Sequence, residues 1–125
     1  MSPARLSVAV VTFEPDLDLL ERCLRSLAVS VRMARERGLV SAASLFVVDN
    51  DEVTPADLPG VAVEAFGDAG RVELIHGHGN VGYGRANNLA IARLESDLHL
   101  VMNPDVELEP AALAAAVAAL EADPK

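Results

Sequence analysis

The 125-residue sequence has no tryptophan, one tyrosine and three phenylalanines, and its only cysteine is Cys23. With one thiol the chain forms no internal disulfide, which fits a reducing compartment. Cys23 falls beside Leu20, Leu24 and Leu27 at helical spacing, so it reads as a core thiol rather than a nucleophile. Aromatic residues make up 3% of the chain, too few for a platform that stacks the bases of single-stranded nucleic acid. Basic residues are also scarce: 10 Lys and Arg stand against 19 Asp and Glu, a formal net charge of −9. Nucleic-acid backbones are held by clustered Lys and Arg, so no nucleic-acid partner is expected. A nucleotide remains open, because a metal and a few local donors can hold one. No apolar run is long enough to span a bilayer. The start, MSPARLSVAVVTFEPD, lacks the length and the small-residue cleavage site of a secretion signal. His76, His78 and His99 follow no metal-ligand spacing, and no Ser-His-Asp or Cys-His arrangement can be argued.

What is present is an apolar chain, 51% hydrophobic, of a length that fits a single domain over residues 1–125 with a real core. Ser7–Thr12 is a Val-rich run of the kind buried on both faces of a sheet. Phe13-Glu14-Pro15 breaks it. Leu17, Leu20, Leu24, Leu27 and Val31 then repeat at helical spacing, with acids first, arginines last and Gly38 to close the helix. Ser44–Val48 is a second strand, so the first fifty residues read as β-α-β, which implies parallel strands and a right-handed crossover. Asp51–Gly70, with Pro55, Pro59, Gly60, Gly67 and Gly70, reads as a loop with one weak helical turn around Val61–Phe66. Val72–His76 is a third strand, Gly77–Gly82 a glycine-rich turn, Tyr83–Glu95 a helix and Leu98–Met102 a fourth strand. Val106–Leu108 reads as extended. Pro110 then stands at the start of a last helix, with a Leu113, Val117 and Leu120 stripe and a stop at Asp123-Pro124. The alternation predicts an α/β fold, Rossmann-like, with a mostly parallel sheet flanked by helices.

Parallel strands deliver their carboxyl ends to one edge, where open α/β sheets bind ligands. Thr12-Phe13-Glu14, Asp49-Asn50-Asp51 and Asn103-Pro104-Asp105 should therefore emerge together. Like charges gathered there repel, and a cation or hydrogen-bond donors would stabilise them. Asn103 and Asp105 sit two residues apart on a turn that Pro104 stiffens, an oxygen pair suited to Mg²⁺ or Mn²⁺ when phosphates and waters complete the shell. Taken alone, Asn-Pro-Asp is also an ordinary turn, and Asp49 or Asp51 can also cap a following helix. Arg85 and Asn88 share a helix face. Gly77-His78-Gly79-Asn80-Val81-Gly82 fits G-x-G-x-x-G after a strand and before a helix, with Asp105 further on, which locally is an NAD-type fingerprint. Against that reading, the turn follows the third strand rather than the first, and no second mononucleotide half follows.

Four segments in order, Val8–Pro15 (VAVVTFEP), Phe46–Asp51 (FVVDND), Gly79–Ile91 (GNVGYGRANNLAI) and Leu100–Leu108 (LVMNPDVEL), resemble the nucleotide-sugar-binding half of family 2 glycosyltransferases with the GT-A fold. The resemblance is nearest to the rhamnosyltransferase-like subgroup. It implies transfer of a sugar from a nucleoside diphosphate, dTDP- or UDP-linked, to a hydroxyl of a glycan or lipid-linked acceptor, with inversion. It further implies that Thr12, Phe13 and Glu14 border base and ribose, that Asp49 accepts from the base or a ribose hydroxyl, and that Asn80 and Gly82 lie along the nucleotide. Arg85 is inferred from its helix face to meet the diphosphate. Asn88 is alternatively a structural hydrogen-bond residue. Asp105 matches the second acid of the family's D-x-D metal motif and Asn103 replaces the first.

In the family the acceptor-binding region and the catalytic base follow that motif, so the base is expected beyond Lys125 and the chain is expected to be a truncated half, inactive alone. An open sheet edge then predicts self-association. The place implied is cytoplasmic, at the inner face of a membrane, in polysaccharide biosynthesis. A non-catalytic nucleotide-binding or assembly module and an NAD-binding domain are the alternative readings.

Overall fold

The computed structural model describes residues 2–122. Four strands, β1 (Ala4–Thr12), β2 (Val40–Asp49), β3 (Arg71–Ile75) and β4 (Leu98–Met102), form one sheet in the order β3-β2-β1-β4. Every neighbouring pair is parallel. The helices are α1 (Leu17–Glu36), α2 (Leu58–Phe66), α3 (Tyr83–Ile91) and α4 (Ala112–Ala122). No helix among the described residues is long and apolar enough to cross a membrane.

Side chains alternate across a strand, so β1 feeds two cores. Leu6, Val8 and Val10 point to the side where α1 packs with α2 and α4. Ala9 and Val11 point to the other, where Ala86 and Ala90 of α3 close over Phe46, Val48 and Ile75. The strand is buried on both faces, as its continuous Val run predicts.

Helix α1 is the helix the periodicity predicts. Asp16 is its N-cap, accepting from the Asp18 and Leu19 amides at 3.0 and 3.2 Å. Gly38, at φ 73°, turns the chain after it into β2.

Several segments depart from expectation. The stretch read as loop holds α2, nine residues long, followed by a 3-10 turn over Gly67–Ala69. Pro59 sits in the first turn of α2, where its missing N–H is no loss. Leu58, Ala62, Ala65 and Phe66 are buried against the α1 side, so packing forms this helix where local propensity is poor.

Helix α3 ends at Ile91 rather than Glu95. Arg93 and Leu94 make tight bonds back to Ala90 and Ile91, and the Asp97 amide is then taken by Arg5 O at 2.9 Å, which starts β4 beside β1. β1 and β2 begin earlier than their apolar runs, at Ala4 and Val40, because ladder pairing extends through the polar Arg5, with Ser41 left out of the register as a bulge. In α4, Leu113 and Val117 are buried but Leu120 is 58% exposed. Val106–Leu108 joins no strand, and the expected stop at Asp123-Pro124 lies outside the described residues.

Candidate functional site

The strand order runs outward from β1 in both directions: β2 and β3 on one side, β4 on the other. The topological switch point lies between β1 and β4, where α/β sheets open a ligand crevice. Thr12-Phe13-Glu14 and Asn103-Pro104-Asp105 leave the sheet at that point. Asp49-Asn50-Asp51 leaves beside them, with Thr12 paired in register to Asp49.

The side chains at the ends of β1 and β2 meet directly. The buried Thr12 hydroxyl donates to Asp49 Oδ1 at 2.9 Å. Asp49 is fully buried; its Oδ2 takes no hydrogen bond from an N–H or hydroxyl of the described residues, and the Asp51 carboxyl stands beside it. A buried carboxylate oxygen without a donor is uncommon and costly. The Glu14 amide donates to both Asp51 oxygens, at 3.0 and 3.2 Å. Glu14 has φ 46°, the left-handed region that non-glycine residues avoid, and the bifurcated hydrogen bond to Asp51 holds it there. Phe13, between them, is 50% exposed at the ligand edge. The Asp51 carboxyl is pushed above its ordinary range, first by burial, then by its hydrogen bond to Asp49 and the charges of Asp49 and Glu14; the Glu14 amide acts the other way. Neither Asp49 nor Asp51 caps a helix; Asp49 bonds Thr12 and Asp51 bonds the Glu14 amide at the first strand's exit.

On the far side of the switch point, Asn103 and Asp105 are exposed. The Tyr83 hydroxyl donates to Asn103 Oδ1 at 3.1 Å, joining the start of α3 to the end of β4. Below the turn, the Cys23 thiol faces Asn103 O at 3.5 Å. Burial pushes this thiol up to about 12, helped by the negative charges of Asp105 and Glu107, so both carboxylates lie near it. It is a core thiol, as its helical position predicts.

The glycine-rich turn is shaped by Asn80, whose Oδ1 accepts from the Gly82 amide at 3.1 Å. Arg85 is exposed in the first turn of α3 and touches none of the other candidate residues through a hydrogen bond or salt bridge. Asn88 is exposed, whereas its neighbour Asn87 is buried and donates to Tyr83 O at 3.2 Å. The turn follows β3, an edge strand, whereas a dinucleotide fingerprint follows the central first strand of its sheet.

Sequence reasoning missed Asn50, His78 and Tyr83. His78 Nε2 lies 2.9 Å from Asn50 Oδ1, and Asn50 Nδ2 donates to Gly82 O at 3.2 Å. Those contacts join residues far apart in the chain, and no local pattern announces them. His99 is elsewhere, its Nδ1 2.7 Å from Ser7 Oγ. A cavity of about 650 Å³ opens away from this edge, against the amino-terminal parts of the strands, with Arg5, Arg35, Arg71 and Arg93 in its wall. It shares no residue with the strand-end cluster.

As a place for a divalent cation, the strand end offers the Asp105 carboxylate and the Asn103 amide oxygen. Among the described residues no group of three or more His, Cys, Asp and Glu could enclose a metal ion. Two hard oxygens fit Mg²⁺ or Mn²⁺ that keeps waters and takes phosphate oxygens, and do not fit a closed protein cage.

A parallel sheet in this order, with acids and amides gathered outside its switch point, defines an α/β nucleotide-binding fold. The family profile described as Glycosyl transferase family 2 matches residues 7–125, and the chain belongs to that family. Among solved structures, S. aureus TarS superposes with a TM-score of 0.72 at 20% identity over 94% of this chain and 20% of that chain. S. aureus TarS 1-349 gives a TM-score of 0.71 at 22% identity over 94% of this chain and 32% of that one. TarS 1-349 in complex with UDP-GlcNAc gives 0.71 at 22% identity, again over 94% of this chain, and 31% of that one. The likeness establishes the fold as the Rossmann-like part of GT-A. The chain spans between 20% and 32% of the chains it resembles. No curated protein matches the sequence significantly.

Proposed function

We propose that this chain is the donor-binding part of a metal-assisted, inverting glycosyltransferase that uses a nucleoside-diphosphate sugar. The observation that carries the reading is the meeting of the buried Asp49, its neighbour Asp51 and the strained, Asp51-locked Glu14 at the switch point. A ring N–H of a pyrimidine or a ribose hydroxyl is the kind of donor that carboxylates gathered at a strand end would take. Membership of the family supports the reaction class. The UDP-GlcNAc held by the structurally similar TarS 1-349 supports a UDP-linked donor; dTDP is the other base this site is proposed to admit.

In this reading Thr12, Phe13 and Glu14 border the nucleoside. Thr12 holds Asp49 in place through Oδ1. Asn80 shapes the glycine turn, Gly82 allows the backbone to approach the nucleotide, and Arg85 supplies a forked cation to the diphosphate. Asp105, with Asn103, would hold Mg²⁺ or Mn²⁺, which would offset the charge that develops on the leaving diphosphate. Tyr83 holds Asn103 Oδ1, which leaves Asp105 as the freer donor. The acceptor, a glycan or lipid-linked hydroxyl, and the carboxylate base that activates it are proposed to be handled by protein outside these residues. The place proposed is the cytoplasmic face of a membrane.

Calorimetric titration of UDP and dTDP, each with and without Mn²⁺ and with NAD⁺ as control, tests the reading on wild type and Asp105→Ala. Metal-dependent binding that Asp105→Ala abolishes is the expected result. Binding of NAD⁺ alone would overturn it. Incubation of the 125-residue chain with UDP-GlcNAc and a set of hydroxyl acceptors is expected to show no transfer.

A further inference from the structure

The glycine-rich segment after β3 forms no strand or helix until Tyr83, yet it must take one shape to line a ligand. Gly77, Gly79 and Gly82 have φ of 86°, 69° and 85°. Such a segment loses much conformational freedom when it is fixed, so something has to fix it. The anchor is Asn50. Its side chain is 3% exposed, and its own amide donates to Thr12 O at 2.8 Å, so it stands rigidly at the end of β2.

The chemistry of the anchor orients itself. Gly82 O only accepts, so the Asn50 amide nitrogen faces it, at 3.2 Å. The Asn50 amide oxygen then faces His78 Nε2, at 2.9 Å, and that nitrogen must carry a proton. One buried side chain thus grips the segment at two points, four residues apart. The second grip falls on the N-cap residue of α3, which has no side-chain cap. It therefore aims the first turn of α3, with Tyr83 and Arg85, across the strand ends.

We propose that Asn50 and His78 are positioning residues for nucleotide binding, a clasp that holds the glycine turn and the start of α3 in the shape that receives the diphosphate. The proposal rests on the donor-site reading above. The clasp touches no reacting atom; it sets the backbone that does.

The test titrates UDP with Mn²⁺ into wild type, His78→Ala, His78→Gln and Asn50→Ala, with the melting temperature and the amide exchange of Gly79–Tyr83 measured for each. His78→Ala is expected to weaken UDP about tenfold, the worth of about one hydrogen bond, while the melting temperature falls by no more than about 5 °C. His78→Gln, whose side-chain amide can donate in place of Nε2, is expected to recover most of that loss. Asn50→Ala releases both grips, and is expected to weaken UDP further and to speed exchange across the turn. Where Asn50→Ala fails to fold, the two His78 variants carry the test. Equal UDP affinity in wild type and His78→Ala overturns the clasp, as does a loss that only tracks the melting temperature. No UDP binding by wild type defeats the donor-site reading instead; amide exchange in His78→Ala then decides the clasp, faster exchange supporting it and unchanged exchange overturning it.

Discussion

Asp51 serves two opposed ends. Both its oxygens hold the strained Glu14 amide, while burial and the charges of Asp49 and Glu14 penalise its ionised form. A carboxyl whose folded pKa is raised adds stability below the ordinary carboxylate range, about pH 4, and loses it as pH rises through the raised value. Asp51→Asn keeps an oxygen for Glu14 and removes the charge. It is expected to melt higher than wild type at pH 7, with the difference closing as pH falls towards 4, which calorimetric melting at the two pH values checks. The strand-end residues Thr12, Glu14, Asp49 and Asp105 were legible because parallel strands must deliver them to one edge. Asn50, His78 and Tyr83 were not, because their bonds join residues 28 and 20 positions apart. A one-dimensional pattern carries no signal for such a contact.

At the scale of elements, α1 and α2 mark the two limits of what a sequence declares. Helix α1 has a full apolar stripe and a capping Asp, and its length follows from them. Leu27 is fully buried in it, so Leu27→Ala is expected to cost about 2–5 kcal/mol in chemical denaturation, against about 1 kcal/mol for loss of the cap in Asp16→Ala. Helix α2 has Pro59 and Gly60 in its opening turn and reads locally as loop. Its Phe66 is fully buried, and the helix exists because that side chain and Leu58 find the α1 side of the core. The shortened α3 has the same origin in reverse: a good local pattern yields where Asp97 must meet both the amide and the guanidinium of Arg5.

For the whole molecule, β1, β2 and β3 stand side by side in chain order, as consecutive parallel strands commonly do, but the placement of β4 beyond β1 does not follow from any one segment. That placement creates the switch point and also leaves β4 at an edge, with Val101 42% exposed. An edge strand with apolar side chains pairs readily with another copy. Sedimentation velocity is expected to show association that rises with concentration, and Val101→Lys is expected to suppress it.

Cys23 gives the fold its own clock. The thiol lies beneath the Asn103 turn, fully buried and raised to about 12. On the order of one such thiol in ten thousand is ionised at pH 8, whereas a free thiol near 8.5 is substantially so. A disulfide reagent therefore reads only those moments when α1 parts from the end of β4. With no second cysteine to confuse the signal, the rate of colour release in native buffer measures how often this strand-end edge comes apart, and a nucleotide bound there as proposed is expected to slow it.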